Sequence, residues 1–318
     1  MIYAAYEAAA EDWDGLGFSM SELHNECDRA LWYQVRWAAA RERFTGRMLR
    51  LFATGHIEEA RIIADLRMIG LEVHDLDPDT GKQFIARALA GHVRGKLDGM
   101  ALGVPEAPAT WHVVEAKSHN QNSFNKLRAA GVGNLRKAKP EHWAQCQMYM
   151  HIRGLERCLY SATCKNDDSR WNDRIYYDRE WCERTLERLE RILRMAEPPS
   201  RISEKADDFR CRFCKAKPLC HEGSFARLNC RTCIHSTPEF MGDAAWSCAR
   251  WAKPLSADEQ REACPAHLYI PALVPGELLD ADEEAETVTY RLNDGRTWID
   301  GRDLADAPAE NPEAEPAL

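Results

Sequence analysis

Two runs of cysteine constrain this chain more than any other feature: Cys211-x2-Cys214-x5-Cys220 and Cys230-x2-Cys233-x14-Cys248-x15-Cys264. The N-terminal stretch MIYAAYEAAAEDWDG has neither the basic start nor the apolar core of a secretory leader. A disulfide framework is therefore not expected, and metal ligation is. The first run supplies three thiolates and needs a fourth ligand. Cys27, far upstream, is one candidate; His221 is the other and would complete a local zinc site of three cysteines and one histidine. Adjacent ligands such as Cys220 and His221 strain a tetrahedral centre. The second run reads as a four-cysteine Zn2+ site whose role is folding energy, with His235 and His267 as alternative ligands. Cys146, Cys158, Cys164 and Cys182 fall in regular elements and read as small core residues.

The remaining composition sets the class. Hydrophobic residues make up 45% of the 318 and charged residues 29%, which excludes a disordered, collagen-like or coiled-coil chain. No stretch approaches the roughly 18 uncharged apolar residues of a membrane span, so no membrane partner is expected and the compartment expected is cytoplasmic. The net charge of −9 is unevenly placed: 13 of 51 acidic but only 3 of 42 basic residues lie between Glu277 and Leu318. Before that point 38 acidic residues face 39 basic ones, so the body is near neutral and a polyanionic partner is not excluded. There is no G-x-x-x-x-G-K-[ST] loop and no G-x-G-x-x-G fingerprint, which argues against ATP hydrolysis and dinucleotide binding.

Residues 19–50 read as helical, and 55–70 as a second helix ending in glycine. Strand-like runs follow at 83–89, 92–102 and 111–117, then a basic connection over 118–140 with room for a short helix. A helix at 141–154, a hairpin from CLYSATCKND and RIYYD, and a charged amphipathic helix at 179–196 complete the body. The segment from 201 to about Pro271 is irregular and cysteine-rich. TVTYRLNDGRTWID forms a hairpin turned at Asn293–Asp294–Gly295, and beyond Gly301 the chain reads as a disordered acidic tail. The domain boundaries expected are 1–225, 226–275 and 276–318.

The residues that carry chemistry lie between 55 and 149. Glu59 precedes Ile62, Ile63, Leu66 and Ile69 at +3, +4, +7 and +10, on their helical stripe, whereas Glu58 points to the polar flank. A carboxylate on an apolar face needs a partner or a metal; as a first-turn acid, Glu59 can equally be held by the helix dipole. Asp98 falls in a strand-like run, where an acid is disfavoured, or begins an Asp98–Gly99 turn. In WHVVEAKS the period of two places Trp111, Val113, Glu115 and Lys117 on one face, so Glu115 and Lys117 emerge together at the strand end. By itself that is a common same-face ion pair. Gln145 and Tyr149, four apart, share a helix face. No acid interrupts 118–140, where Lys126, Arg128, Arg136, Lys137 and Lys139 suit a phosphate track or a merely solvated loop.

In that order, a helical Gly55-x3-Glu59, then Asp98, then Glu115-x-Lys117, then Gln145-x3-Tyr149, the chain resembles the PD-(D/E)XK nuclease superfamily, in particular its RecB/AddB-like and lambda-exonuclease-like branch. The resemblance spans roughly residues 20–225. It implies an α/β restriction-endonuclease-like core, a mixed β-sheet flanked by helices, to which the small Cys-rich metal-binding C-terminal module is appended. It further implies that Asp98 and Glu115 ligate Mg2+ or Mn2+, that Glu59 helps place the metal, and that Lys117 orients water. Gln145 and Tyr149 would touch substrate. The gap between Asp98 and Glu115 is longer than the family's compact pattern, and VPEAPAT reads as an inserted loop. In related RecB-like exonucleases a cysteine before the core joins three after it around a 4Fe–4S cluster, which favours Cys27 over His221 as the fourth ligand here. The activity implied is phosphodiester hydrolysis on DNA, as an exonuclease in recombination, repair or phage DNA processing, with a recombination or single-strand-annealing protein as partner. The alternative is an inactive nuclease-fold protein that binds nucleic acid or directs assembly; a redox iron–sulfur protein would leave the acidic constellation unused.

Overall fold

In the computed structural model, which describes residues 1–10, 15–41 and 43–302, the N-terminal third is helical but broken. α1 (Ile2–Ala8) precedes the two-residue β1 (Phe18–Ser19), a 3-10 turn at Met20–Glu22, α2 (Asp28–Val35) and the long α3 (Gly46–Met68). The one helix expected over 19–50 is thus several pieces, and α3 starts well before 55 because Thr45 caps it, its side chain accepting from Met48 N. α3 ends at Gly70, whose φ of +92° suits glycine. Glu59 accordingly lies mid-helix, away from the dipole of the first turn.

The sheet region follows: β2 (Glu72–His74), β3 (Ile85–Ala88), β4 (Val93–Lys96), β5 (Gly99–Leu102) and β6 (His112–His119). The basic connection folds into α4 (Gln121–Ala130) and α5 (Leu135–Ala138), then α6 (Pro140–Arg153) opens on proline and closes on Gly154 in the left-handed region. β7 (Arg157–Cys164) and β8 (Arg170–Tyr176) form the expected hairpin. α7 (Arg179–Arg194) is capped by Asp178, whose side chain accepts from Trp181 N. The cysteine-rich segment holds α8 (Lys217–His221), β9 (Ser236–Pro238), β10 (Trp246–Cys248), β11 (Lys253–Leu255) and α9 (Ala257–Arg261). β12 (Gly276–Asp282), β13 (Thr287–Leu292) and β14 (Thr297–Asp300) complete the chain. The expected hairpin is β13–β14; the acidic run before it, read as tail, pairs with β13 as a third strand. The acidic tail expected beyond Gly301 lies outside the described residues from 303 onward.

The fold is a mixed α/β arrangement around a five-stranded sheet of order β2-β5-β6-β7-β8, in which only β6 and β7 run parallel. The α4–α6 segment makes the crossover that a parallel pair requires. One sheet face, through Val114, Ala116, Ala101 and Leu159, packs on Ile62, Ile63 and Leu66 of α3. The other face, through Val113, Cys158, Tyr160 and Ala162, packs beneath α6. Here the stripe that placed Glu59 with Ile62, Ile63 and Leu66 brings that carboxylate to the sheet, while Glu58 turns to Arg61 at 3.8 Å.

The Cys-rich segment is not a detached module. Trp246, Leu255, Tyr269 and Tyr290 belong to the same contiguous core as Trp32 and Phe18. Arg231, fully buried, is its pin: it donates to Val35 O (2.7 Å), Leu16 O (3.1 Å) and Gln260 Oε1 (2.7 Å), with Trp37 3.6 Å and Trp246 4.8 Å from its guanidinium.

Candidate functional site on the central strand

β6 is almost wholly buried, and its alternation decides which chemistry goes where. Val114 and Ala116 face α3; Val113, Glu115 and Lys117 face α6. Glu115 is 0% exposed, and neither of its oxygens accepts a hydrogen bond of normal geometry. The Lys117 ammonium lies against Glu115 Oε1, stands 3.8 Å from Asp98 Oδ2 and donates to Ala116 O at 3.4 Å.

Asp98 is not mid-strand, as the run over 92–102 suggests. It sits in the break between β4 and β5, and Gly99 is the last β5 residue paired with β6, opposite Val114. Ala116 N, beyond that ladder, donates instead to Asp98 Oδ2 at 2.8 Å. The carboxylate thus takes the place of a missing ladder acceptor, which fixes it beside Lys117 where the pairing with β5 stops. β6 itself runs on to His119, so Glu115 and Lys117 are mid-strand and not at the expected strand end.

Electrostatics tie Glu59 to this group. Burial first, then the charges of Asp98 and Asp75, push its carboxyl up to about 7, against the pull of Lys117. Glu115 is likewise pushed above the carboxylate range by burial, with Lys117 opposing and Asp98 adding to the rise. Burial works against the Lys117 charge, but Glu115 and Asp98 outweigh it and hold the ammonium above its usual range. Asp98 and Glu115 thus share one ammonium, and Glu59 feels the charges of both Asp98 and Lys117.

The helical pair behaves differently from expectation. Tyr149 is 1% exposed; its hydroxyl donates to Lys96 O at 2.6 Å and accepts from Gln145 Nε2 at 3.0 Å. The structure therefore turns Tyr149 inward, onto the strand leading to Asp98, and leaves half-buried Gln145 as the more accessible member. Of the basic residues, Lys126, Arg128 and Lys137 are exposed on α4 and α5. Arg136 stacks 4.4 Å from Trp143 and lies 3.9 Å from Asp178, and Lys139 lies 3.7 Å from Glu141.

Sequence reasoning missed a buried polar chain behind Lys117. The Tyr160 hydroxyl lies 2.9 Å from His119 Nε2 and 2.8 Å from His142 Nδ1, and His119 Nδ1 lies 2.9 Å from Ser123 Oγ. Burial first, then neighbouring lysines including Lys117 and Lys139, lowers His119 to about 4; burial, Lys117 and His119 lower His142 to about 2. Both imidazoles are neutral. Two signals were present: His119 continues the period of two from Glu115 and Lys117, and His142 precedes Gln145 by three.

The donors around Lys117 suit a hard divalent cation. Asp98, Glu115 and Glu59 offer oxygen donors, and a buried carboxylate with one oxygen against Lys117 and the other without a hydrogen bond is the kind of group an Mg2+ or Mn2+ ion satisfies. The sulfur donors also group by neighbourhood. Burial raises Cys211 and Cys214, and each also feels Cys27 and Cys220. Burial pushes Cys230 up to about 12, followed by Cys264, Cys233 and Cys248. These last four thiols line one small cavity with His235 and His267, whose Nε2 and Nδ1 atoms respectively are buried without hydrogen-bond partners. Four soft thiols fit an iron–sulfur cluster or zinc. Among the described residues, however, no three His, Cys, Asp or Glu side chains stand in ligating geometry about one point. These groups are neighbourhoods of donors, not formed coordination spheres.

No helix among the described residues is long and apolar enough to cross a membrane. No family model matches the chain, and no curated protein matches it. Among solved structures, the chain is similar to an alkaline exonuclease (LHK-Exo) from Laribacter hongkongensis, at 14% identity and a TM-score of 0.38, covering 60% of this chain and 90% of that one. It is similar to LHK-Exo in complex with dAMP at 16% identity and 0.41, covering 60% and 89%. It is also similar to SSO0001 at 11% identity and 0.38, covering 69% and 91%.

Proposed function

We propose that this chain is a metal-dependent deoxyribonuclease of the PD-(D/E)XK type, acting as an exonuclease. The observation that carries the reading is Glu115: a fully buried carboxylate in the middle of a central strand, with Oε1 against the Lys117 ammonium, Asp98 beside that ammonium, and Oε2 left without a hydrogen bond. A structural ion pair would not need a second and third carboxylate raising one another's proton affinity. Asp98 and Glu115, aided by Glu59, would hold Mg2+ or Mn2+. Such an ion neutralises charge on the phosphate and acidifies water. Lys117 keeps its proton and directs an N–H toward an oxygen in the same space. Gln145 offers an amide at the rim, and Lys126, Arg128, Arg136, Lys137 and Lys139 supply phosphate contacts on the adjoining helices. Cys27, Cys211, Cys214 and Cys220 would hold a 4Fe–4S cluster that ties α2 to the segment after α7. Cys230, Cys233, Cys248 and Cys264 would hold Zn2+ as folding energy. A role in recombination, repair or phage DNA processing extends from the sequence resemblance.

The test is hydrolysis of linear and circular DNA, single and double stranded, with Mg2+, Mn2+ or EDTA. Glu115→Gln and Lys117→Ala should each lower the rate by more than about 100-fold, the upper end of the cost of losing a mere outer-shell partner. Full activity in either variant, or cleavage in EDTA, would overturn the mechanism and leave the binding or assembly reading.

A further inference from the structure

The loop that carries Cys211 and Cys214 reads Phe209-Arg210-Cys211-Arg212-Phe213-Cys214-Lys215, and it presents its two faces unequally. Cys211 is 6% exposed, whereas Phe209 is 75% and Phe213 82% exposed. Two phenyl rings standing almost fully in water contribute little to this core. Each ring instead lies beside a guanidinium: Arg212 is 4.7 Å from the Phe213 centroid, and Arg210, which also pairs with Asp208 at 2.9 Å, is 5.3 Å from that of Phe209. Lys215, beside them, reaches Glu22 at 3.9 Å. Glu22 closes the 3-10 turn that packs on α6, and Met20 of that turn lies where Gly95 and Tyr149 meet. The loop thus lies beside the 3-10 turn that packs on the helix bearing Gln145 and Tyr149.

We propose that Phe209 and Phe213 form a stacking platform for the bases of single-stranded DNA. An exposed ring stacks on any unpaired base; Arg210 and Arg212 supply cation–π contact, and Arg212 also supplies phosphate neutralisation, Arg210 being paired with Asp208. Interior bases of a duplex are stacked on both faces, so the platform selects unpaired ends or a separated strand. A purely electrostatic surface would need no aromatic rings, and an apolar protein contact would not be studded with cations between its two rings. The inference rests on the nuclease reading only for the identity of the polyanion as DNA.

The experiment is fluorescence anisotropy with labelled dT20 and with a 20-base-pair blunt duplex, using the full chain in buffer without added divalent cation. Loss of a stacked base weakens binding about 5- to 150-fold. Phe209→Ala and Phe213→Ala should each weaken dT20 binding within that range and change duplex binding less than about threefold. Phe213→Trp should restore dT20 affinity, because it restores the π face. Since both rings are exposed, unchanged melting and metal content in the alanine variants are expected. dT20 affinity changed by less than about twofold would overturn the proposal and return the rings to a protein contact; equal losses on dT20 and duplex would also overturn it. Binding is read without cleavage, so an inactive Glu115→Gln protein tests the platform independently of the nuclease assay.

Discussion

Removing the Tyr149 hydroxyl separates a residue that touches DNA from one that positions the site. In Tyr149→Phe, Lys96 O loses the donor it receives at 2.6 Å, and Gln145 Nε2 loses its acceptor at 3.0 Å. An unsatisfied buried group costs about 1–3 kcal/mol, and half-buried Gln145 can turn to water, so the loss should be about 1–2 kcal/mol. At roughly 2–4 °C per kcal/mol for a chain above 150 residues, melting should fall by about 2–8 °C. Lys96 ends β4 two residues before Asp98, so the same change should lower kcat and raise the Mg2+ concentration needed, leaving KM for DNA unchanged. Gly95→Ala provides the complement. A Cβ there would lie 2.7 Å from Tyr149 Oη and 3.0 Å from Met20 Cγ, displacing the ring from above the strand. The double variant should cost less than the sum, because removing Oη removes the closest clash. Differential scanning calorimetry and single-turnover hydrolysis measure both sides. Unchanged melting with a raised KM in Tyr149→Phe would refute the positioning role and place the hydroxyl on the DNA.

Three further outcomes follow from the same packing. His119 and His142 stay neutral in the fold at pH values where the unfolded chain binds protons, since burial holds them at about 4 and about 2. Their contribution is fully present above the unfolded value near 6.5 and is lost as pH falls toward 4, at about 1.4 kcal/mol per pH unit for each. Glu59 and Glu115, held above the carboxylate range, add stability as pH falls and oppose the histidines in the parent. Urea titrations from pH 7.5 to 5 should therefore show parent and His142→Asn stabilities diverging below pH 6.5 by about 1.4 kcal/mol per pH unit; parallel profiles would count against it. Arg231→Met should cost about 3–5 kcal/mol, because Val35 O, Leu16 O and Gln260 are left without their donor in a dry interior. Coincident denaturation curves for parent and variant would show that the pin is dispensable. Elemental analysis of protein prepared without oxygen should find iron and zinc together, with Cys27→Ser losing the iron and keeping the zinc; colourless, iron-free parent protein removes the cluster.

Periodicity made the sheet and its two helical layers legible. The alternation in WHVVEAKS sorted β6 into its two faces, and the stripe Glu59–Ile62–Ile63–Leu66 put α3 against one of them. Legibility failed where local pattern competes with non-local pairing. Nothing between 19 and 50 announces that the chain breaks after Val35, since that break is set by Trp37, Arg231 and Asn229 meeting: Asn229 Nδ2 donates to Trp37 O at 3.1 Å across a long loop. The acidic run after Gly276 looked like tail because its charge hides a strand; β12 is exposed along its whole length and is held by backbone pairing with β13. Charge density reports solvation, and an edge strand can be fully solvated on its side chains.

The site shows the same division more sharply. Glu115 and Lys117 were legible because a strand fixes its side chains at every second position, so their adjacency is a property of the sequence. The placement of Asp98 was not, because it depends on where β5 stops pairing with β6, and an Asp at that break serves as the absent acceptor for Ala116 N. The same break explains how an insertion such as VPEAPAT is tolerated between Asp98 and Glu115. Asp98 is positioned by a bond to the strand carrying Glu115, not by the length of chain joining them. Lengthening that loop should therefore leave the carboxylate in register, whereas a residue at 98 unable to accept from Ala116 N should release both the strand end and the acid at once.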